Sequence, residues 1–385
     1  SIQQNDYLFN ALLKMTRYGV DRLMVRNKDG FIGVLHQKEL MSLFANQSGL
    51  VMLTLERAHS FEDLKKVTQQ IDSLIAGLCN KGVKTHYIAK LVNELHRKLQ
   101  AKLWQLLDTQ QQFDQVTFIV MGSEGRSEQV VRTDQDNAVI YDPQVDAEAL
   151  AKFCQDYSAR LIDLGFPPCP GHIMVSNPAW RMTIDGFERQ IKQWFDNPSL
   201  EDFMNLAILA DAQTVIGDEM RLQQVKQILQ QQLAKRPMFL AQFARAVLQF
   251  DTPIGLFGRL ITQKDDGHSI DLKKGGIFPI IHGVRCLALE LGIQKTNTHW
   301  RIRDLINAHV FDEAFGVELG ETLNFLNTLR LQAMLEKKAK GLPIDNLIET
   351  DHLSHFHQDL LKDSFNVVNQ FKKVVQQHFK LDGML

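Results

Sequence analysis

Phe118-Ile-Val-Met-Gly-Ser-Glu-Gly-Arg-Ser-Glu-Gln-Val-Val-Arg-Thr-Asp-Gln-Asp-Asn-Ala-Val-Ile-Tyr141 is the stretch whose reading decides the fold. Val116-Thr-Phe-Ile-Val120 reads as a buried strand that ends at Gly122-Ser123. A short helix-compatible segment follows, and Asp134-Gln-Asp136 opens a second strand running to Tyr141. Side chains two apart on a strand share a face, so Asp134 and Asp136 converge while Gln135 points away. Two neighbouring carboxylates repel unless a cation bridges them. Mg²⁺, or Mn²⁺ in its place, meets that need, because such an ion takes one or two carboxylates together with waters and phosphate oxygens. Gly122 permits close backbone approach, and Ser123 with the amides that follow can hold phosphate oxygens. These parts describe a nucleoside triphosphate and a metal at the edge of a small sheet.

Outward from this stretch, Ala147 to Leu164 reads as a helix and Ile173 to Ser176 as a third strand, completing a small mixed α/β unit. Beyond Thr183 the pattern is helical almost throughout, with spans expected at Thr183 to Phe195, Ser199 to Asp211, Asp218 to Leu233, Met238 to Gln249, Ile277 to Leu291 and onward to Phe379. Upstream, Ser60 with Asp63 forms a capping-box-like helix start, and Gly82 is the expected stop. After Thr85, the residues Ile88, Leu91, Val92, Leu95, Leu99, Leu103 and Leu106 fall at three- and four-residue steps, an apolar stripe that suits core packing.

Gly-Ser, ten residues, then Asp-x-Asp between apolar flanks resembles the DNA polymerase beta type nucleotidyltransferase superfamily. The longer run through Gly122-Ser-Glu-Gly-Arg126 and Thr133-Asp-Gln-Asp-Asn-Ala138 resembles the bacterial nucleotidyltransferases that follow CBS or cyclic-nucleotide-binding domains, relatives of the protein-PII uridylyltransferases. A second stretch, Asp271-Leu-Lys-Lys-Gly-Gly-Ile-Phe-Pro-Ile-Ile-His-Gly-Val-Arg-Cys-Leu-Ala-Leu-Glu-Leu-Gly-Ile293 with Thr296-Asn-Thr298, resembles that family's C-terminal helical substrate-binding domain. The resemblance implies attack of an acceptor group on the α-phosphate of a nucleotide, with pyrophosphate leaving. Asp134 and Asp136 would hold the metal ions. Arg126 or Arg132 would add positive charge where negative charge builds up, and Lys273 would reach the triphosphate from the helical domain.

The superfamily usually supplies a third carboxylate from a later strand. Here the corresponding segment, Cys169-Pro-Gly-His-Ile-Met-Val-Ser-Asn-Pro-Ala-Trp180, contains no acid. Gly171-His172 resembles a Gly-His of uridylyltransferases, and His172 is read either as general base or polar contact, or as a partly buried structural histidine. Asp185 is the nearest later acid.

The N-terminal region alternates element types: an apolar helical run from Tyr7 to Met15, a strand at Arg22-Leu-Met-Val-Arg26, a turn at Asn27-Lys-Asp-Gly30, a strand from Phe31 to Leu35 and a helix from Gln37 to Phe44. This order, with Gly33-Val-Leu-His-Gln-Lys-Glu-Leu40, resembles one repeat of a CBS domain, a module that works in pairs and often binds adenine nucleotides. One repeat is visible and Ser1 falls close to its start, so the partner repeat is expected in a longer chain. His36 and Glu39 occupy the positions where the family's ligand motif has Thr or Ser and Asp. The module is read as a structural half that mediates dimer contacts, or as a regulatory nucleotide site.

Composition narrows the rest. With 385 residues, 44% hydrophobic and 23% charged, the chain has material for two or three domains and is neither disordered nor collagen-like. A net charge of −2 removes the electrostatic case for a nucleic-acid-coating protein. Cys79, Cys154, Cys169 and Cys286 form no CxxC pair, which disfavours a zinc ribbon or a disulfide framework and suits a reducing cytoplasm. No apolar run approaches the roughly 18 residues of a membrane span. His352, His355 and His357 read as a solvated helix face, and Trp180, Trp194 and Trp300 as packing between helices, with base stacking a minority role for Trp180.

The fold class expected is α+β and mostly helical: a CBS-like half-module at 1–47, a helical linker hairpin at 48–112, a small mixed-sheet nucleotidyltransferase core at 113–197 and a helical substrate-binding domain at 198–385. The function expected is metal-dependent transfer of a nucleoside monophosphate from a nucleoside triphosphate to a protein or small-molecule acceptor. It would take place in the cytoplasm under CBS-linked regulation, without a nucleic-acid or membrane partner and with a homodimer implied by the CBS resemblance. The runner-up is a nucleotide-sensing regulatory protein of the same fold that binds without transferring.

Overall fold

The computed structural model describes residues 1–6, 8–28, 30–37, 48–196, 198–255, 259–262 and 269–383. The chain divides into two compact units: Ser1–Ile184 with Gln213–Leu222, and Asp185–Ala212 with Gln223–Leu385.

The first unit opens with β1 (Ile2–Gln3), α1 (Leu8–Tyr18), β2 (Arg22–Asn27) and β3 (Gly30–His36), and β2 lies between the other two in a three-stranded sheet. β2 and β3 form the antiparallel hairpin expected from Asn27 to Gly30, with Asn27 paired to Gly30 and Arg22 to His36. Asp29 of that turn, Glu39, and all but Gln37 of the helix expected from Gln37 to Phe44 lie outside the described residues.

Helices α2 (Ser48–Glu56), α3 (Phe61–Asn80) and α4 (Thr85–Leu107) follow. Ser60 caps α3 by accepting the Asp63 N–H, and the Asp63 carboxylate accepts the His59 N–H in return. In α4 the stripe from Ile88 to Leu103 is buried as expected, but so are the polar residues Asn93, His96 and Gln100 between its positions. The helix is therefore enclosed on more than its apolar side.

The second sheet of this unit has four strands in the order β6-β5-β4-β7, where β4 is Val116–Val120, β5 Asn137–Tyr141, β6 Arg181–Met182 and β7 Gln213–Ile216. β4 is antiparallel to both neighbours, and β5 runs parallel to β6. Every residue of β4 is buried, as a continuous apolar run requires. The short helix α5 (Gly122–Gly125) leaves the end of β4, and α6 (Ala147–Asp163) follows β5. Trp104 from α4, Phe118 from β4 and Tyr157 from α6 meet with ring centroids 5.1–5.6 Å apart, and the Tyr157 hydroxyl donates to the Gln100 carbonyl.

Two sheet expectations are corrected. Ile173 to Ser176 is not a strand: its amides and carbonyls bond to Asn137 and to a local turn, and the chain reaches the sheet only at Arg181–Met182, after the three-residue helical turn Pro178–Trp180. β7, in a region read as helical, supplies the fourth strand; its four residues are too short a signal between two helix patterns.

The remaining helices are α7 (Ile184–Asp196), α8 (Leu200–Ala210), α9 (Glu219–Ala234), α10 (Pro237–Ala244), α11 (Phe278–Glu290), α12 (Thr298–Asn307), α13 (Glu313–Ala339) and α14 (His355–His378); all belong to the second unit except Ile184 and the first turn of α9, residues 219–222. β8 (Ser269–Asp271) pairs antiparallel with β9 (Leu347–Glu349), and a π-helical turn at Lys273–Ile277 leads into α11. Ser199 and Asp202 form a complete capping box at the start of α8. The helix expected from Met238 to Gln249 tightens into a 3₁₀ turn at Arg245–Leu248. Trp180 and Trp194 are buried as packing residues, whereas Trp300 is 40% exposed and lies near the Lys295 and Arg303 cations. Among the described residues no helix is long and apolar enough to cross a membrane.

α11 is nearly all buried, and its polar residues are satisfied internally. Arg285 donates twice to Asp211, at 2.6 and 3.1 Å, and Arg301 of α12 donates to the other Asp211 oxygen at 2.7 Å. Burial first, then the Arg285 charge, pushes the His282 imidazole down to about 3. It is therefore neutral at ordinary pH, donating from Nε2 to the Phe243 carbonyl and accepting from Arg285 at Nδ1. Asp211→Ala would leave two buried guanidiniums without their carboxylate. It should lower the stability of this unit by about 3–5 kcal/mol, read as a fall in the urea midpoint; an unchanged midpoint contradicts the assignment of Asp211 as the anchor.

Candidate active site

Both walls of the site grow from the alternation of residues entering β5. Gln135 and Asn137 are buried, 1% and 3% exposed, and turn inward. The Gln135 N–H donates to the Pro167 carbonyl at 2.9 Å, and its side-chain amide donates to the Phe166 and Ser158 carbonyls. Asn137 donates its N–H to the Ile173 carbonyl and accepts the Val175 N–H on its side chain at 2.8 Å. These two residues fasten the segment 166–175 alongside the Asp-x-Asp run. Asp134 and Asp136, on the alternate positions, are half-buried, and their carboxylates converge with the Cys169 sulfur, all three donor atoms lying within 4.8 Å of one another. Asp134 and Asp136 sit in the extended residues just before β5 rather than inside it.

The Gly-Ser corner closes the site from the β4 side. The Met121 N–H donates to the Asp136 carbonyl at 2.7 Å, which sets the end of β4 against the acidic run. Gly122 has φ +52°, and a Cβ there would overlap the Asp136 carboxylate. Only glycine fits both the backbone and the space. Ser123 is half-buried, and its carbonyl accepts the Glu128 and Gln129 N–H groups, so the loop folds back on itself. Gly122→Ala should cost about 1–2 kcal/mol of stability and displace the Asp136 carboxylate. A denaturation curve and a Mn²⁺ titration check this; an alanine variant matching wild type in both would contradict it.

The basic residues singled out in the sequence go to different places. Arg126 is buried and its Nε donates to Glu128 at 2.7 Å. Arg132 is committed to α3, donating to the Asp72 carboxylate at 2.7 Å and to the Thr68 carbonyl at 3.1 Å. The structure thus holds the Arg132 guanidinium in an ion pair on α3. His172 is exposed at a turn with φ +53°; its N–H donates to the Cys169 carbonyl, and its own carbonyl accepts from Met174 and Asn177. Asp185 is exposed in the first turn of α7, and Lys273 is exposed in the second unit at the first residue of the π-helical turn.

Two site residues escaped the sequence reading. Cys169 lies in the segment searched for a third acid and fills a corner of the site as a thiol. Burial, then the neighbouring Asp136, pushes that thiol up to about 11. Glu124, within the quoted Gly-Ser-Glu-Gly-Arg run, is 4% exposed and accepts from the Gln100 amide at 2.6 Å. Burial raises its carboxyl to about 7, against the opposing pull of Arg97 and the Gln100 hydrogen bond, with Asp136 adding to the rise. Spacing could not reveal this, because the partners come from α4, more than 20 residues upstream.

The Glu124 shift has a pH consequence. A carboxyl whose folded value lies above its unfolded value of about 4.5 binds more protons in the folded state, so its contribution to stability falls as pH rises from about 4.5 through about 7. In metal-free buffer, Glu124→Gln should flatten that fall and gain on the order of 2–3 kcal/mol relative to wild type at pH 8 compared with pH 4.5. Parallel pH profiles of the two proteins would contradict it.

Two family models match this chain, one over the site and one over the helical unit. Residues 69–201, which contain the Gly-Ser corner, both aspartates and Cys169, match the family described as "Putative nucleotidyltransferase DUF294". Residues 237–379, which contain the buried α11 and its neighbours, match "Putative nucleotidyltransferase substrate binding domain". The chain carries both domains. A search of curated proteins finds no match to it.

Proposed function

We propose that the chain transfers a nucleoside monophosphate from a nucleoside triphosphate to a hydroxyl or amine of a protein or small molecule, with Asp134 and Asp136 holding a divalent cation. The observation that carries this reading is the convergence of those two carboxylates beside the Gly122 corner, inside the span that matches a nucleotidyltransferase family. Their oxygens fit a divalent ion, since they are paired, half-buried and close enough to share one. When bound, such an ion neutralises the triphosphate and stabilises the attacking and leaving oxygens.

The chain's own residues have distinct parts in this scheme. Asp134 and Asp136 present oxygens to the ion, and the inward bonds of Gln135 and Asn137 keep those oxygens aimed. Gly122 leaves room where a side chain would block them. Ser123 and Arg126 lie on the loop that would receive the phosphates, and His172, exposed beside Cys169 in sequence, is the proposed base or polar contact for the acceptor. A polar path supports control from the N-terminal CBS-like module: Arg17 of α1 donates to Glu94, Arg97 donates to the same carboxylate at 3.0 Å and to Ser127 at 2.9 Å. The net charge of −2 lacks the basic excess that a long nucleic-acid acceptor would need.

A second reading, binding without transfer, is favoured by one observation: Cys169 rather than a third carboxylate completes the cluster. A panel of labelled nucleoside triphosphates with Mg²⁺ or Mn²⁺, beginning with UTP, separates the two. Transfer predicts pyrophosphate release by wild type that falls on the order of 10²-fold or more in Asp134→Ala and Asp136→Ala. Nucleotide binding that depends on both aspartates, without pyrophosphate release under any base or ion, supports the sensor instead.

A further inference from the structure

We propose that Cys169 is the third protein donor of the cation centre, so that the centre takes a borderline ion such as Mn²⁺, Co²⁺ or Zn²⁺ in preference to Mg²⁺. The inference rests on the assignment of Asp134 and Asp136 as cation ligands and specifies what ion they share.

Among the described residues, Asp134, Asp136 and Cys169 form the one group of three side chains of ligating type whose donor atoms converge, all within 4.8 Å. Metal–oxygen and metal–sulfur bonds of about 2.0–2.3 Å allow ligand atoms on one ion to stand up to about 4.6 Å apart, so a single ion can touch all three after little adjustment. The position of the sulfur is built rather than incidental. Cys169 is 6% exposed, and its segment is fastened to the acidic run by the buried side chains of Gln135 and Asn137. The sulfur lies on the side of the two carboxylates, its position among their oxygens set by that anchored segment.

A sulfur donor changes which ion is preferred. Mg²⁺ wants oxygen ligands in near-ideal octahedral geometry, whereas thiolate favours softer transition ions. Three protein donors leave a further position open for a water or a phosphate oxygen, the arrangement found in catalytic rather than structural centres. On entry of the ion the thiol proton leaves to solvent and the sulfur bonds as thiolate.

The test uses the full chain and Cd²⁺ as a thiol-reporting probe. Cd²⁺ titration of wild type should give a thiolate-to-cadmium charge-transfer band saturating at one equivalent above that of Cys169→Ser. Asp136→Asn should weaken the binding that produces the band. Mn²⁺ affinity, followed by the loss of free-ion electron paramagnetic resonance signal, should fall about tenfold or more in Cys169→Ser, while Mg²⁺ affinity stays within about twofold. Cys169→Asp, which restores an oxygen donor, should abolish the extra band and tighten Mg²⁺ binding, and circular dichroism on each variant verifies folding. Equal Cd²⁺ bands and equal Mn²⁺ affinities in wild type and Cys169→Ser would overturn the thiol donor and leave the aspartate centre standing. Mg²⁺ and Mn²⁺ binding unchanged in Asp134→Asn and Asp136→Asn would remove the centre itself, and with it the cation-based reading of function.

Discussion

The constraint on which the rest depends is the repulsion between two carboxylates that the backbone forces together. Asp134 and Asp136 flank Gln135, and with Gln135 and Asn137 hydrogen-bonded inward the intervening acids have no choice but to share the opposite face. In water each would be hydrated separately. Half-buried just before β5, an inner strand of the four-stranded sheet, they are less well hydrated and their closeness matters more. Gly122 gives up its side chain to leave the Asp136 carboxylate its place. Arg132, the nearest arginine in sequence, spends its charge on Asp72 rather than on the acids.

Much of this was legible in the sequence because it is local. β4, β5 and the alternation of Asp134, Gln135 and Asp136 follow from side-chain periodicity, and the α3 cap and the helical spans of the second unit follow from capping and apolar spacing. What was hidden depends on contacts distant along the chain. β7 joins the sheet through pairing with β4 nearly 100 residues upstream, and four residues carry too little pattern to announce it. The strand expected at Ile173 to Ser176 failed for a related reason: its apolar residues are buried, as a strand's would be, but Asn137 takes the Ile173 carbonyl and the Val175 N–H, Met174 closes a local turn, and the Arg181 side chain takes the Val175 carbonyl. Glu124 and Cys169 acquire their environments from α4 and from the acidic run, so neither has a signature of its own.

The second unit shows how motif-like polar residues can serve the core. His282 and Arg285, in the stretch that resembles a substrate-binding domain, are 3% and 5% exposed and are spent on Phe243, Asp211 and each other. Arg301 completes the arrangement at 1% exposure. A charged cluster without bulk water holds only while every donor has its acceptor, so these positions tolerate little change. Lys273 and Lys274, in the π-helical turn before α11, are exposed.

The residues matched to a nucleotidyltransferase domain bring two carboxylates and a thiol together beside the Gly122 corner, the place where a cation is proposed. The most direct test is an anomalous-scattering map from crystals grown with Mn²⁺ and a non-hydrolysable nucleoside triphosphate. The account predicts a strong peak bonded to carboxylate oxygens of both Asp134 and Asp136, with the triphosphate beside Gly122. A bound nucleotide with its Mn²⁺ elsewhere, and the two aspartates contacting no ion, would contradict it.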